Sequence, residues 1–336
     1  MNIFSVIKKK LMEIAEGKPP LTIETDNYSS PSISPAEMTK ELVISKCNYF
    51  VDAQLWPTKV NLNPERWLSN FLPDEIEHAV QLLNSFMFFS DELTNRMFAA
   101  SFHLLSNRIR GRGVSYQSAK ITWNSFIDNV IVTPVRGEQP NISDSGFSFA
   151  RKARQQLNLK EEQLMDQEAC LRALIDGPRS VMFVDDFVGS GAQFRTTWER
   201  KIKLDRNTSV SFQDLAKARG SSFYYCPLVC TEMGYRYLLR YCPEVIISPV
   251  HILPSRYSAL DPSSFLWPDH LRPSAISFLQ KASQRAGIPD NNGKVDDWRG
   301  FRKLGLSIAF AHSIPDATLP ILYWSKNGWK PLMRRT

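Results

Sequence analysis

The feature that most constrains the fold is an apolar run that ends in two acids and a glycine-rich loop. Residues 181–191 read Val-Met-Phe-Val-Asp-Asp-Phe-Val-Gly-Ser-Gly. This pattern predicts a buried strand of a parallel sheet that ends at Asp185 and Asp186. A helix is predicted next, from about Ala192 to Ile202. Because ligands of open parallel sheets bind beyond the carboxyl ends of strands, the acids and the loop are expected in a ligand crevice.

The loop and the acids suit different parts of one ligand. Gly189 and Gly191 can adopt φ > 0 and let the backbone approach a ligand closely. The free N–H groups at the start of the following helix favour a phosphate. The carboxylates of Asp185 and Asp186 would repel that phosphate, so they suit the hydroxyls of an attached sugar or a divalent metal. The stretch therefore predicts a sugar-phosphate site.

Three other interpretations of the acidic pair compete with this one. A Walker B acid would accompany a G-x-x-x-x-G-K-[ST] motif, which does not occur in the sequence. A D-x-D phosphate-transfer site needs alternating acids, whereas Asp185 and Asp186 are adjacent. The third alternative, a solvated strand end followed by a glycine turn, stays open, although acids, loop and helix occur in one order.

The stretch resembles the ribose-phosphate motif of type I phosphoribosyltransferases. Asp185 and Asp186 match its acids and Ser190-Gly191 its hydroxyl–glycine pair, while Gln193 stands where Thr is usual. A more specific resemblance is to the phosphoribosyltransferase-like proteins of bacterial conflict systems, the PRTase-CE type. Their motif reads much like Asp-Asp-Phe-Val-Gly-Ser-Gly-x-Gln-Phe, which accommodates Gln193.

Two further elements extend this resemblance from roughly residue 40 to the C-terminus. One is Trp67-Leu68-Ser69-Asn70-Phe71, and the other is a terminal segment with His312, Pro315 and residues 318–332. The resemblance implies an α/β fold with a mostly parallel sheet of the type I phosphoribosyltransferase kind. It also implies an N-terminal helical extension and a C-terminal hood-like segment.

The resemblance implies a role for each residue of the motif. Asp185 and Asp186 would bind the ribose 2′- and 3′-hydroxyls, with Mg²⁺ bridging ribose and pyrophosphate. The 5-phosphate would be bound by Gly189, Ser190, Gly191, Ala192 and Gln193.

A second loop of the family binds pyrophosphate, and by position it corresponds to Thr133–Gly137. Within it, Arg136 is the only strong anion ligand, and Gly137 closes the segment. An ordinary connection between a strand and a helix is the alternative interpretation.

Transfer at an anomeric carbon depends mainly on positioning and charge stabilisation, so no dedicated nucleophile is required. His312 is the best candidate among five histidines for a general acid or base. A structural histidine, hydrogen-bonded within the hood, is the alternative. The flexible hairpin that many active phosphoribosyltransferases carry is not recognisable in residues 158–176, which are predicted to be helical. Both an enzyme acting at ribose C1 and a binding or scaffolding module without turnover stay open.

Periodicity predicts the elements around the motif. The predicted helices cover residues 36–47, 74–90, 91–108 and 145–157, and the predicted strands cover 129–134, 222–230 and 244–250. Segments 304–311 and 319–324 are predicted as edge strands or as a cover over the site. The predicted organisation is a helix and linker at 1–35, a helical extension at 36–112 and the α/β domain at 113–336.

Composition limits the partners. The net charge of +7 favours anions such as nucleotides, phosphosugars or nucleic acid. Basic clusters occur at Arg108, Arg110 and Arg112, at Arg151, Lys152 and Arg154, and at Lys326, Lys330, Arg334 and Arg335. No recognised nucleic-acid motif accompanies them, so binding of nucleic-acid ends is a third, weaker function.

The remaining expectations concern the setting of the protein. The five irregularly spaced cysteines suit core thiols rather than disulfides or zinc. No apolar run approaches the ~20 residues of a membrane span, and no secretory signal is recognisable, so a cytoplasmic protein is expected. The resemblance implies an effector or sensor of anti-phage defence with protein partners.

Overall fold

The computed structural model describes residues 39–111, 113–135, 152, 156–157, 159–217 and 220–335. These belong to one compact unit, Thr39–Thr336. The helix and linker predicted at 1–35 and most of the helix predicted at 145–157 lie outside the described residues. The same is true of Arg112, Arg136 and Gly137.

A parallel sheet forms the centre of the unit. Its strands are β2 (Val130–Pro134), β3 (Ser180–Val188), β6 (Ser222–Thr231), β7 (Val245–Ile247) and β8 (His251–Leu253). The spatial order is β2, β3, β6 and then β7 and β8, which pair with successive parts of β6. All of these pairings are parallel. The predicted α/β class with a mostly parallel sheet is confirmed.

Two short strand pairs lie outside this sheet. β1 (Met87–Phe89) pairs in parallel with β9 (Ile308–Phe310), so the chain's helical first part and its C-terminal part share a sheet. β4 (Ile202–Lys203) pairs antiparallel with β5 (Ser209–Val210).

Most of the helices begin at a polar residue whose side chain caps them. They are α1 (Lys40–Asp52), α2 (Pro64–Leu68), α3 (Ile76–Asn84), α4 (Asp91–Ile109), α5 (Tyr116–Asn129), α6 (Gln167–Asp176), α7 (Ala192–Glu199), α8 (Phe212–Lys217), α9 (Glu232–Tyr241) and α10 (Arg272–Ala286). The side chains that accept a first-turn N–H are Thr39, Asn63, Ser90, Ser115, Asp166 and Thr231. Such caps satisfy N–H groups that have no partner within the helix.

The continuous apolar run of β3 is explained by burial on both faces. Val181 and Phe183 pack into a cluster with Phe194 and Trp198 of α7. Met182 and other residues of alternate parity pack into a second cluster with α4, α5 and β9. Since successive side chains of a strand point to opposite faces, both faces of β3 must be apolar.

A third cluster joins the two outlying segments of the family-like pattern. The indole N–H of Trp67 donates to the carbonyl of Ile321 at 2.8 Å, and that of Trp329 donates to the same carbonyl at 3.0 Å. The ring of Phe71 contacts both indoles, at centroid distances of 4.8 and 5.3 Å. Trp324 is also buried in this cluster, and its N–H donates to the carbonyl of Ala286. These tryptophans therefore serve the core.

Several predicted boundaries differ from the structure. The strand expected to end at Asp185 continues to Val188, so both acids lie inside β3. Of the two interpretations of 319–324, the edge strand is wrong and a cover over the site stays a prediction. A 3₁₀ turn covers Pro320–Leu322, and the N–H groups of Tyr323 and Trp324 both donate to the carbonyl of Pro320. Of the strand predicted at 244–250, only Val245–Ile247 is strand, and β8 begins just beyond it at His251.

The long helices predicted from periodicity are shorter in the structure. Of 158–176, only α6 and a 3₁₀ turn at Glu161–Gln163 are helical, because Leu164 bridges to Val132 of the sheet and Asp166 caps α6. Of 74–90, residues Met87–Phe89 instead form β1, and of 304–311 only Ile308–Phe310 is strand.

All five cysteines lie among the described residues, buried and free. No helix of the described part is long and apolar enough to cross a bilayer.

Replacement of Trp67 tests whether the third cluster stabilises the unit. Trp67 is fully buried, so Trp67→Ala should lower the free energy of unfolding by about 3–5 kcal/mol. Tyr116, which is 80% exposed, offers a control whose replacement by Ala should change it by less than about 0.5 kcal/mol. Chemical denaturation of both variants measures the difference, and equal values would contradict a stabilising role for the cluster.

Candidate functional site

The two acids of the motif face opposite sides of β3, because they are consecutive residues of one strand. Asp185 lies on the side of α7. Its Oδ2 accepts a hydrogen bond from the hydroxyl of Tyr225 at 2.9 Å, and its Oδ1 accepts one from the N–H of Asp186 at 3.0 Å. Only 5% of Asp185 is exposed. This carboxyl is thus surrounded by protein groups.

The helix that follows the loop also positions the tyrosine. The ring of Phe194, in the first turn of α7, stacks on the ring of Tyr225 with centroids 3.9 Å apart and planes at 10°. Tyr225 belongs to β6 and is fully buried at 1% exposure. Stacking therefore fixes the direction of the hydroxyl that contacts Asp185.

Asp186 lies on the other side and meets the C-terminal segment. Its Oδ2 lies 2.8 Å from Nε2 of His312 and accepts a hydrogen bond from the hydroxyl of Ser313 at 2.9 Å. His312 and Ser313 lie in a tight turn after β9, which the N–H of Phe310 closes on the carbonyl of Ser313. The structure thus brings His312 to Asp186, where β3 meets the C-terminal hood segment that follows β9. Asp185, the next residue along β3, lies on the opposite face of the strand.

The two carboxyls have opposite proton affinities. Burial, reinforced by the charge of Asp186, holds the pKa of Asp185 well above its usual range, and the hydrogen bond from Tyr225 offsets only part of this. Burial would also raise the pKa of Asp186, but hydrogen bonds from His312 and Ser313 outweigh it and lower that pKa. The opposite shifts mean that Asp185 has the higher proton affinity of the two and that negative charge is favoured on Asp186.

A single threonine attaches the motif's loop to the neighbouring strand and helix. The hydroxyl of Thr231, the last residue of β6, donates to the carbonyl of Gly189. The same hydroxyl accepts the N–H of Gly234 at 3.0 Å and so caps α9. The loop and the start of α9 are consequently held against each other.

Glycines allow this close approach. A Cβ on Gly234 would lie 2.4 Å from the carbonyl oxygen of Gly189, and one on Gly191 would lie 3.0 Å from the ring of Tyr237. Of the two loop glycines, only Gly191 has a positive φ, of 79°, and it occupies the N-cap position of α7. The expectation that Gly189 uses φ > 0 is therefore wrong, since its role is close packing.

The start of α7 offers N–H groups to an anion. The hydroxyl of Ser190 accepts the N–H of Ala192 at 3.4 Å, and the side chain of Gln193 is exposed. The first N–H groups of a helix have no partner within it, and the positive end of the helix dipole lies there. Gly191 carries no side chain that would cap this end.

The proposed pyrophosphate loop is described only in part. Thr133 lies in β2, pairs with Phe183 of β3, and is fully buried with a hydroxyl that has no hydrogen-bond partner. Thr133 therefore lies on the adjacent strand, level with the residue two positions before Asp185. Arg136 and Gly137 lie outside the described residues.

Asp185 and Asp186 supply two carboxyls, which is fewer ligands than a divalent cation takes. No group of three or more His, Cys, Asp or Glu side chains suited to a metal occurs among the described residues. Asp185 favours its protonated form, and Oδ2 of Asp186 already has two partners. A cation here would need oxygen ligands from a bound molecule.

Sequence reasoning missed the partners of the acids. Tyr225, Ser313 and Thr231 became recognisable only through the register of β6 against β3 and the return of the C-terminal segment. Tyr225 lies two residues before Pro227, which pairs with Asp185, so both side chains point to the same face. The sequence indicated a buried strand at 222–230, but it did not indicate the register of that strand against β3.

A parallel α/β sheet whose central strand carries two acids, followed by a glycine loop and a helix, defines a phosphoribosyltransferase-like protein. The chain belongs to the PRTase-CE family, whose model matches residues 64–335. None of the curated proteins compared with the sequence matches it. The solved structure of orotate phosphoribosyltransferase from Aeropyrum pernix aligns at 14% identity and a TM-score of 0.25, over 46% of this chain and 70% of that one. An alignment this loose carries no weight here, and the assignment follows from the family model.

Neutralising each acid should change stability in opposite directions. Because the pKa of Asp185 is raised in the fold, its protonated carboxyl stabilises the folded state. This stabilisation is full below about pH 3.8, the unfolded value, and is lost as the pH rises through the folded pKa. Asp185→Asn replaces the buried carboxyl by a neutral amide that does not ionise. It should therefore raise the free energy of unfolding at pH 7 by about 0.5–2 kcal/mol. The gain should vanish near pH 3.

Asp186→Asn is the matched variant. The lowered pKa of Asp186 stabilises the fold above about pH 3.8 and loses this effect as the pH falls through the folded pKa. The replacement should therefore lower the free energy of unfolding at pH 7 by roughly 1–3 kcal/mol. Denaturation at pH 3 and 7 measures both variants; a destabilised Asp185→Asn at pH 7 would show that Asp185 is ionised in the fold.

Thr231 gives a separate test of the loop's attachment. Thr231→Val removes the helix cap and the donor to Gly189, so it should lower the free energy of unfolding by about 2 kcal/mol. Thr231→Ser keeps the hydroxyl and should retain most of the stability. Thermal unfolding compares the two, and equal midpoints would exclude a role for the hydroxyl.

Proposed function

We propose that this chain binds a 5-phosphoribosyl compound, either phosphoribosyl pyrophosphate or a nucleotide, at the loop between β3 and α7. The observation that carries the proposal is the start of α7, where the N-cap residue Gly191 has a left-handed conformation and no capping side chain. The 5-phosphate lies at Gly189, Ser190, Gly191, Ala192 and Gln193. Backbone N–H groups at the positive end of a helix are suited to such an anion.

The ribose contacts the acids. The ribose hydroxyls take the place of the hydrogen bonds that the two carboxyls now accept. These come from Tyr225 to Asp185, and from His312 and Ser313 to Asp186. Asp186 is already ionised and is the stronger acceptor. Ligand entry on this side moves the turn that carries His312 away from β3, so binding is coupled to the position of the hood.

Space for the rest of the ligand is present next to the loop. A cavity of about 700 Å³ is lined by Thr231 at the end of β6, Leu253 at the end of β8, and Arg302 and Lys303. Leu304, which also lines it, lies beside Gly189. Its volume suits a nucleotide-sized molecule. Mg²⁺ belongs to the proposal only as an ion carried by the ligand's phosphate oxygens, since the two acids supply fewer ligands than the ion takes.

We also propose a biological role, which the resemblance to the proteins of bacterial conflict systems suggests. We place the chain as a sensor or effector of bacterial anti-phage defence that responds to a nucleotide together with partner proteins. A sensor needs binding and a coupled movement, and the link between Asp186 and the hood supplies a route for it.

Cleavage or transfer at ribose C1 is a second candidate, favoured by the contact between His312 and Asp186. His312 is oriented by a carboxylate and its side chain is 23% exposed. In hydrolysis of a nucleotide, water adds to C1, the C1–N bond breaks, and the base leaves with a proton. His312 supplies that proton and takes up the one that the attacking water loses, and Asp186 stabilises the charged imidazole.

Paired glycine variants test the binding proposal. Gly191→Ala strains a left-handed residue and pushes a Cβ towards Tyr237, so it should weaken binding of labelled phosphoribosyl pyrophosphate or nucleotide at least about tenfold. Gly113→Ala carries similar strain at φ 74° with nothing within 4 Å, and should bind as wild type does. Equilibrium dialysis with and without Mg²⁺ measures both. Absence of binding in wild type, or equal binding in both variants, would refute a ligand at the loop.

Turnover is measured in the same samples as released base or pyrophosphate. If the chain is an enzyme, Asp186→Asn and His312→Gln should each lower the rate by about 10²-fold or more. If wild type binds the ligand but releases no product, the enzyme hypothesis is excluded and the sensor hypothesis is supported.

A further inference from the structure

We propose a second anion site, for a small phosphate-bearing molecule, in a cavity beside the C-terminal segment. The cavity has a volume of about 470 Å³. Its lining includes five cationic residues, Arg66, Lys326, Lys330, Arg334 and Arg335, against one acid, Asp296. None of these residues belongs to the acid pair or the loop described above.

Arg66 is the observation that points to a ligand. Its Nε and Nη2 atoms are buried and have no hydrogen-bond partner. Buried polar atoms are nearly always paired, and an unpaired guanidinium is costly. A phosphate in the cavity beside Arg66 compensates the guanidinium's charge, and Arg is the side chain best suited to such charge-assisted hydrogen bonds.

The position of Arg66 is set by rigid surroundings. It lies in α2 between the capping residue Asn63 and the fully buried Trp67. The C-terminal segment is attached to the same helix region: Asn70 and Lys330 exchange two hydrogen bonds, of 2.8 and 3.0 Å. The N–H of Asn63 also donates to the carbonyl of Leu332 at 2.8 Å. The cavity is therefore preorganised, which lowers the cost of binding.

The other cations leave the cavity positive. Arg335 pairs with Asp316, which neutralises one charge. Lys330 donates to the neutral hydroxyl of Ser69 at 3.0 Å, so its charge is not compensated there. Lys326 lies 4.9 Å from the ring of Trp324, another neutral partner. An anion with more than one negative charge fits this arrangement, and the volume suits a molecule of nucleotide size rather than a nucleic-acid strand.

Calorimetry with inorganic pyrophosphate and ATP tests the site on the full chain. Measurements in the Gly191→Ala background weaken the contribution of the loop, so that the two sites separate in affinity. One saturable site should persist there, and adding Arg66→Lys should weaken it at least about tenfold. Arg96→Lys is the control, because Arg96 is 78% exposed and lies outside the cavity. No binding in the Gly191→Ala variant, or the same affinity after Arg66→Lys, would overturn the proposal.

Two further measurements separate a ligand site from other roles. Without ligand, Arg66→Met should unfold at the same temperature as wild type or higher, because an unpaired guanidinium is removed; a marked fall would assign Arg66 to packing instead. The affinity for single-stranded oligonucleotides is measured as well. If it rises with their length and is unchanged by Arg66→Lys, the basic residues bind nucleic acid and the proposal is wrong. Binding of 5-phosphoribosyl compounds at the loop between β3 and α7 should be the same in Arg66→Lys as in wild type, so either proposal can fail alone.

Discussion

The burial of β3 on every side is the constraint from which the rest of the structure follows. The strand pairs with β2 on one edge and β6 on the other, and apolar clusters cover both faces. Only its carboxyl end is left for polar chemistry. There two consecutive acids point to opposite faces, and each must find hydrogen-bond donors because an unpaired buried carboxylate is costly. Tyr225 meets this need on one side, and His312 with Ser313 on the other.

This requirement connects parts of the chain that are distant in sequence. Asp185 depends on β6 and, through the ring of Phe194, on α7. Asp186 depends on the turn after β9, and β9 pairs with β1 from the helical first part. A ligand that replaces any of these donors therefore acts on several layers at once. Such a site suits a sensor, and it also gives His312 the oriented position that acid catalysis needs.

The segments that carried the family resemblance have separate structural tasks. Residues 185–193 form the loop and its acids, whereas Trp67, Phe71 and Trp329 join the first and last parts of the unit around the carbonyl of Ile321. That junction also holds Arg66 against the basic C-terminal segment. The aromatic pattern therefore explains the stability of the region, and the unpaired guanidinium beside it indicates a separate function.

The sequence by itself determined the parallel α/β class, the central strand and the glycine turn into a helix. These depend on local order and on burial of both strand faces, which an apolar run records directly. Tertiary structure alone decided where β3 ends, which donors meet the acids, and which acid has the higher proton affinity. Strand register and the return of residues 312–313 join groups more than a hundred positions apart, and no local pattern specifies such contacts. Thus the sequence indicated the kind of loop, whereas tertiary packing decided the hydrogen-bond partners of the two acids and formed the cavity at Arg66.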